Sequence, residues 1–209
     1  MADNEFIDLK ILKMIDQAEL PNPDSRDNKT EIAPENRTIY SGIKVGGKWF
    51  EFEARTLAGD KITMMIPKEF KELDAELAKI KYPMEQRPQT ILTDASGTIN
   101  LLLNHMDGQM SNDDAAMIRD KLFAMMSRLN PGVKQQAKGE ETLADKNVAY
   151  VEFTNPALDG KIYNLMFFLE LEAKPLMVSF NCLTKSMKYW QKSAFEMMRS
   201  LQILPGTEL

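Results

Sequence analysis

Cysteine and histidine are almost missing from these 209 residues, with one of each. A lone Cys182 cannot close a disulfide within the chain, and its apolar neighbours mark a buried, inert thiol of the kind a reducing cytoplasm permits. A lone His105 leaves no second choice of base for a Ser-His-Asp or Cys-His mechanism, and no Gly-x-Ser-x-Gly motif accompanies it. Basic excess is missing too: 26 Lys and Arg stand against 31 Asp and Glu, a formal charge of -5 and a pI near 5.1. That sign is wrong for gripping a phosphate backbone, so nucleic acid is excluded as a partner. No apolar run approaches the roughly 20 residues of a membrane span, and Met1 to Glu5 form no basic n-region, so neither a span nor an export signal is expected. The Asn28-Lys-Thr and Asn36-Arg-Thr sequons therefore carry no weight.

What is present is the balance of an ordinary globular core, 44% hydrophobic and 27% charged in a chain long enough to bury one well. The chain divides into residues 1–36 and 37–209. In the first part Ile7, Ile11, Met14, Ile15 and Ala18 recur at helical spacing before Pro21, Pro23 and a polar run, which predicts a leader helix on a linker. It is expected either to pack back on the main domain or to act as a detachable partner-binding arm.

From Lys48 the period changes to two. Phe50, Phe52 and Ala54 share one face of a predicted strand, with Trp49, Glu51, Glu53 and Arg55 on the other. Thr56 to Asp60 reads as a hairpin loop, Ile62, Met64 and Ile66 as the returning strand, and Pro67 as the opening of a helix through Phe70, Leu73, Leu77 and Ile80. Tyr82-Pro83 ends that helix because the residue before proline disfavours helical geometry. Strands follow at Thr90–Asp94 and Thr98–Asn104 around Ala95-Ser-Gly97. A helix capped by Ser111 then carries an inward stripe of Ala115, Ile118, Leu122, Met125, Met126 and Leu129, and Asn130-Pro-Gly132 stops it.

Further strands are predicted at Val133–Lys138, Asn147–Thr154, Lys161–Leu171 and Pro175–Leu183, the third marked as central by Tyr163, Leu165, Phe167, Leu169 and Leu171 on one face. The last helix, Thr184 to Leu201, turns Met187, Trp190, Ala194, Met197 and Met198 inward and Lys185, Lys188, Lys192 and Arg199 outward. Hairpins join most of the strands, so the fold class is α+β, an antiparallel sheet flanked by helices in an α/β/α sandwich.

Chemical motifs do not survive inspection of their context. Gly42 to Lys48 matches Gly-x-x-x-x-Gly-Lys but continues with Trp49 where magnesium coordination needs Ser or Thr, and its Gly-Gly pair leads into a strand as a turn. His105 and Asp107 lack the third ligand of a metal site. Glu51 with Glu53 lies on a polar strand face, and Asp113 with Asp114 sits where acids stabilise a helix start. The 15 methionines fall mostly at inward positions, with an adaptable binding surface as the alternative reading.

The segments Ile66-Pro-Lys-Glu-Phe70, Lys81-Tyr-Pro83, Arg87-Pro88, Ile91-Leu-Thr-Asp94 and Gly97, with Tyr189-Trp190 and Ser200-Leu201, resemble bacterial proteins of the PsbP-like superfamily from about Gly47 to Leu204. The resemblance implies an antiparallel sheet between helices and action by protein binding. The superfamily is shared with a photosystem II extrinsic subunit, a Ran-binding nuclear import factor and chaperones of type VI secretion effectors. It supplies no catalytic residues to carry over.

These readings predict a non-catalytic protein-binding, adaptor or chaperone module in the cytoplasm, with no cofactor and no metal, and with a protein partner or a second copy in a homodimer. The alternative is a small-ligand binder or enzyme with a pocket near His105. A 100° step per residue puts Phe195 beside Lys188 and Arg199 on the charged face of the last helix. Phe195, Lys188 and Arg199, together with Ile7 and Ile11 of the leader, are accordingly the predicted partner-binding residues. Cover by the leader or a nearby loop is the structural reading of Phe195.

Overall fold

Twelve strands and three helices follow one another among the residues described by the computed structural model, 37–82, 87–157 and 160–206. In chain order they are β1 (Ile43–Val45), β2 (Lys48–Phe50), β3 (Phe52–Leu57), β4 (Ile62–Pro67), β5 (Lys71–Glu72), α1 (Ala75–Lys81), β6 (Thr90–Thr93), β7 (Ile99–His105), α2 (Ala115–Leu129), β8 (Lys134–Leu143), β9 (Lys146–Ala157), β10 (Gly160–Leu171), β11 (Lys174–Leu183), α3 (Met187–Arg199) and β12 (Gln202–Ile203). The leader, with Ile7 and Ile11, lies outside the described residues.

A seven-stranded sheet runs in the order β5-β6-β7-β11-β10-β9-β8, antiparallel throughout. β10 lies inside the sheet between β11 and β9 and is apolar on both faces, as a strand covered from both sides must be. Tyr163, Leu165, Phe167, Leu169 and Leu171 point to the larger core, which they share with Trp190, Ala194, Met197 and Met198 of α3 and with Ile62, Met64 and Ile66 of a second sheet, β12-β4-β3. Met166 and Phe168 point the other way and meet Ile118, Leu122, Phe123 and Met126 of α2. Beside them Ala78 and Tyr82, at the end of α1, cover Ile91 and Leu102. Helices thus lie on both faces of an antiparallel sheet, and the predicted α/β/α sandwich is what forms.

Several local expectations give way to tertiary pairing. The strand predicted from Lys48 to Arg55 divides at Glu51: β2 pairs with β1 across the Gly46-Gly47 turn, while β3 pairs with β4. Pro67 ends β4 and opens no helix. A turn closed by Phe70 N–H on Pro67 O (3.0 Å) intervenes, and the helix starts only after Asp74, whose Oδ1 accepts from Glu76 and Leu77 N–H. Phe70 is therefore a fully buried core residue outside the helix, and Ile80 faces solvent.

On α2, Met125 and Leu129 turn outward and Arg119 turns in. That arginine is tolerated because its guanidinium donates to Gly139 O at 2.9 Å and pairs with Asp120. β8 extends five residues beyond its predicted end at Lys138, because Ala144 and Asp145 both adopt positive φ (48° and 61°) and make a two-residue hairpin.

Candidate protein-docking surface

The one histidine and the one cysteine are, respectively, engaged and enclosed. His105, half-buried at the end of β7, places Nε2 2.9 Å from Leu171 O, and its backbone exchanges two hydrogen bonds with the Gln89 amide. Among the depressions of the described surface are a shallow one around Arg55, Leu57, Thr90 and Leu92 and another around Asp113, Ala116, Glu141 and Asn147. Neither includes His105. Cys182 is buried, and burial pushes its thiol up to about 12. Among the described residues no group of three or more His, Cys, Asp or Glu could hold a metal ion. Glu152 is a buried carboxylate that accepts from Tyr163 Oη at 2.6 Å and Gln191 Nε2 at 2.7 Å. Burial and this carboxylate push the Tyr163 phenol far above its ordinary range. The trio lies in the wall of the core, where the carboxylate satisfies the buried phenol.

α3 sorts its outward residues onto two flanks. Tyr189 and Phe195 are six residues apart, which separates them by about 120° around the axis. Phe195 turns toward β9, where it meets Tyr150 edge to face at 5.1 Å, and Arg199 lies over the ring at 5.3 Å. Arg199 in turn grips Glu141 of β8 with Nε at 2.9 Å and a terminal nitrogen at 2.6 Å. Phe195 and Arg199 are therefore brought together against the sheet. Lys188, eleven residues before Arg199, stands some 16 Å along the axis and belongs to the opposite end of the helix.

The other flank carries the chain from Arg37 to Ile43. Ile39 is buried in the main core, its N–H donates to Glu196 Oε2 at 2.9 Å, and Lys192 Nζ donates to Arg37 O at 2.9 Å. A turn from Thr38 to Ser41, with reciprocal backbone and hydroxyl bonds, then pushes Tyr40 outward until it is 73% exposed.

The β1-β2 hairpin follows. Its inner residue Phe50 packs edge to face on Trp190 at 4.9 Å, so its neighbour Trp49 must face out. The Trp49 ring lies across Gly42, whose φ of +80° and missing Cβ leave it room, and Arg37 caps the ring at 5.5 Å. Lys44 is paired with Trp49 in the hairpin register. On the helix, Lys188 Nζ sits 4.7 Å from the ring centre of half-exposed Tyr189.

The result is a corner where three exposed aromatics, Tyr40, Trp49 and Tyr189, stand among Arg37, Lys44, Lys188 and Lys192. Glu196, the carboxylate on this flank of α3, is held by the Ile39 N–H and faces Lys192 at 3.9 Å. Aromatic rings and arginine at a partly exposed site are the residue types that dominate protein interfaces. Sequence reasoning set Lys188 beside Phe195 and Arg199, not at this corner, and did not name Trp49 or Tyr40 among the partner-binding residues. The available signal was Trp49 itself, an indole on the polar side of an alternating strand. A second exposed apolar strip, Met117, Met125 and Leu129, runs along α2 with the exposed Lys121 and Arg128 on the same side, but it presents no exposed aromatic ring.

No family model matches the chain, and no curated protein matches it. Solved structures do. The cyanobacterial PsbP of Synechocystis superposes with a TM-score of 0.56 at 8% identity, over 73% of this chain and 92% of that one. LpqN of Mycobacterium tuberculosis, involved in cell envelope biogenesis, gives 0.49 at 10% identity over 81% and 99% of the two chains. A putative regulator of unknown function from Pseudomonas aeruginosa gives 0.45 at 10% over 74% and 98%. The chain has the PsbP-like fold, and at these identities the likeness concerns the fold alone. No helix among the described residues is long and apolar enough to cross a membrane.

Proposed function

We propose that this chain is a non-catalytic protein-binding module of the adaptor or chaperone kind, working in the cytoplasm and docking an acidic segment of its partner on the Trp49 corner. The observation that carries the reading is the indole of Trp49, fixed against Gly42 and beneath Arg37 while still 40% exposed. A rigid aromatic loses little conformational entropy on binding, and surrounding cations steer and orient an acidic partner. The enclosed Cys182 thiol and the engaged His105 ring supply no nucleophile or base at this corner.

The test is a photo-crosslinking amino acid at Tyr189, with the same group at Leu129 as the control, in the native host. The reading expects one partner captured from Tyr189, not from Leu129, and lost with Lys188→Glu. Equal capture at both sites, no capture at Tyr189, or a robust turnover by the purified protein would each refute it. Capture of a second copy of the chain would replace the acidic partner with a homodimer.

A further inference from the structure

We infer that residues 5–20 dock in cis on the Trp49 corner, making the leader a built-in competitor for whatever binds there. The inference uses the same surface as the proposed function but does not require that an outside partner exist.

Charge is the first argument. Residues 1–36 hold 9 of the 31 acidic and 4 of the 26 basic side chains, so the formal charge of -5 resides there, and residues 37–209 balance at 22 of each. A leader of net negative charge is thus tethered to a neutral body that it joins at Arg37, a residue of the basic corner. The second argument is the arrangement of those charges. With a 100° step, Ile7, Ile11, Met14, Ile15 and Ala18 make one stripe; Glu5, Asp8, Asp16 and Glu19 fall together on one side of it, and Lys10 and Lys13 on the other. Laid apolar stripe down over Tyr40, Trp49 and Tyr189, such a segment can bring its acidic side to Lys44 and Lys188 while its lysines point away.

Reach is the third. The 16 residues from Pro21 to Asn36 span up to about 50 Å when extended and on the order of 20 Å as a coil. The corner begins at the tether point, so the linker need not be stretched. Tethering also supplies an effective concentration in the millimolar range, so weak contacts suffice. An acidic partner must then displace the leader, and the corner is graded by competition and not simply open.

The experiment uses the full chain carrying Ala18→Cys with a nitroxide label. Cys182 stays unlabelled because it is buried and its thiol is pushed up to about 12. The expected result is loss of amide signal at Lys44, Trp49 and Lys188 to Lys192, intact signal from Met117 to Leu129, and no change on dilution. Adding Ile7→Asp and Ile11→Asp restores the lost signals.

Broadening confined to residues 37–41 beside the tether, or spread evenly over the surface, overturns the inference. So does broadening that fades on dilution, which assigns the corner to a second copy. The two readings fail separately: a partner crosslinked at Tyr189 with no cis broadening removes only the leader's role, and cis broadening without a captured partner removes only the proposed function.

Discussion

Phe195 and Tyr150 stand edge to face, their ring centres 5.1 Å apart and their planes at 88°. The ring that the sequence places on the charged side of the last helix therefore has packed company from β9, and Tyr150 keeps its own place because a Cβ at Gly139 on β8 would collide with its ring. Phe195→Ala is expected to destabilise the protein by about 1–3 kcal/mol, below the full cost of a completely buried phenylalanine. In a domain of this size that lowers the melting temperature by several degrees, which calorimetry reads directly. Unchanged melting with weakened partner binding would make Phe195 an interface anchor.

Gly42→Ala addresses the docking corner. The substitution sets a Cβ 2.5 Å from Trp49 Cζ2 at a φ of +80°, so the backbone is strained and the indole must leave its seat. The expected cost is about 1–2 kcal/mol. A changed Trp49 emission should accompany it, measured in a Trp190→Phe background to remove the core indole. An unmoved emission spectrum would mean that Gly42 does not position the ring.

Glu152→Ala removes the acceptor shared by Tyr163 and Gln191 and leaves a buried phenol without its partner. Chemical denaturation should show a loss of about 1–3 kcal/mol, with most of it recovered in Glu152→Gln, which keeps an acceptor oxygen. Equal losses in the two variants would show that the carboxylate's charge, and not its acceptor, matters there.

The Glu141–Arg199 pair sets a pH dependence. Its hydrogen bonds to the guanidinium hold the Glu141 carboxyl below its usual range. The unfolded chain then takes up the proton at a higher pH than the folded one, so the pair's contribution is complete above the ordinary carboxylate range and is lost as pH falls through the folded value. Because Arg199 is half-exposed, the contribution is expected at only about 0.2–1 kcal/mol. The stability difference between wild type and Glu141→Gln should vanish in acid and shrink in high salt; a difference that grows toward acid would refute the assignment.

Cys182 should resist thiol reagents in the native state and react at the rate of global opening, since it is buried at 1% exposure and its thiol is pushed up to about 12. Rapid labelling of the folded protein would contradict the enclosed site, and with it the selective spin labelling.

The legible part of the fold is the part encoded by local periodicity. β10 announces itself because a strand covered on both faces must be apolar at nearly every position, and the inward stripe of α3 follows from a 3.6-residue period that the core merely accepts. Asn130-Pro-Gly132 and Ala95-Ser-Gly97 mark their breaks through residues with a fixed backbone preference. Phe195 and Lys188 were placed on the outer side of α3 by the same arithmetic. The hairpin at Ala144 and Asp145 was invisible, because its first positive φ falls on an alanine, which does not favour it and is held there by the flanking ladder.

Tertiary structure alone decided where Phe70 goes, since its local pattern suits the first turn of a helix and its burial under Trp190 depends on β4 ending over α3. It also decided that Arg119 is inside, that Phe195 rests on Tyr150, and that Trp49 lies against Gly42 beneath Arg37. Phe70 and Trp190 lie 120 residues apart, and no period within a segment records which distant strand or turn will arrive beside it. A sequence reports the faces of its elements through short-range geometry, whereas the pairing of those faces is set by burying all of them at once.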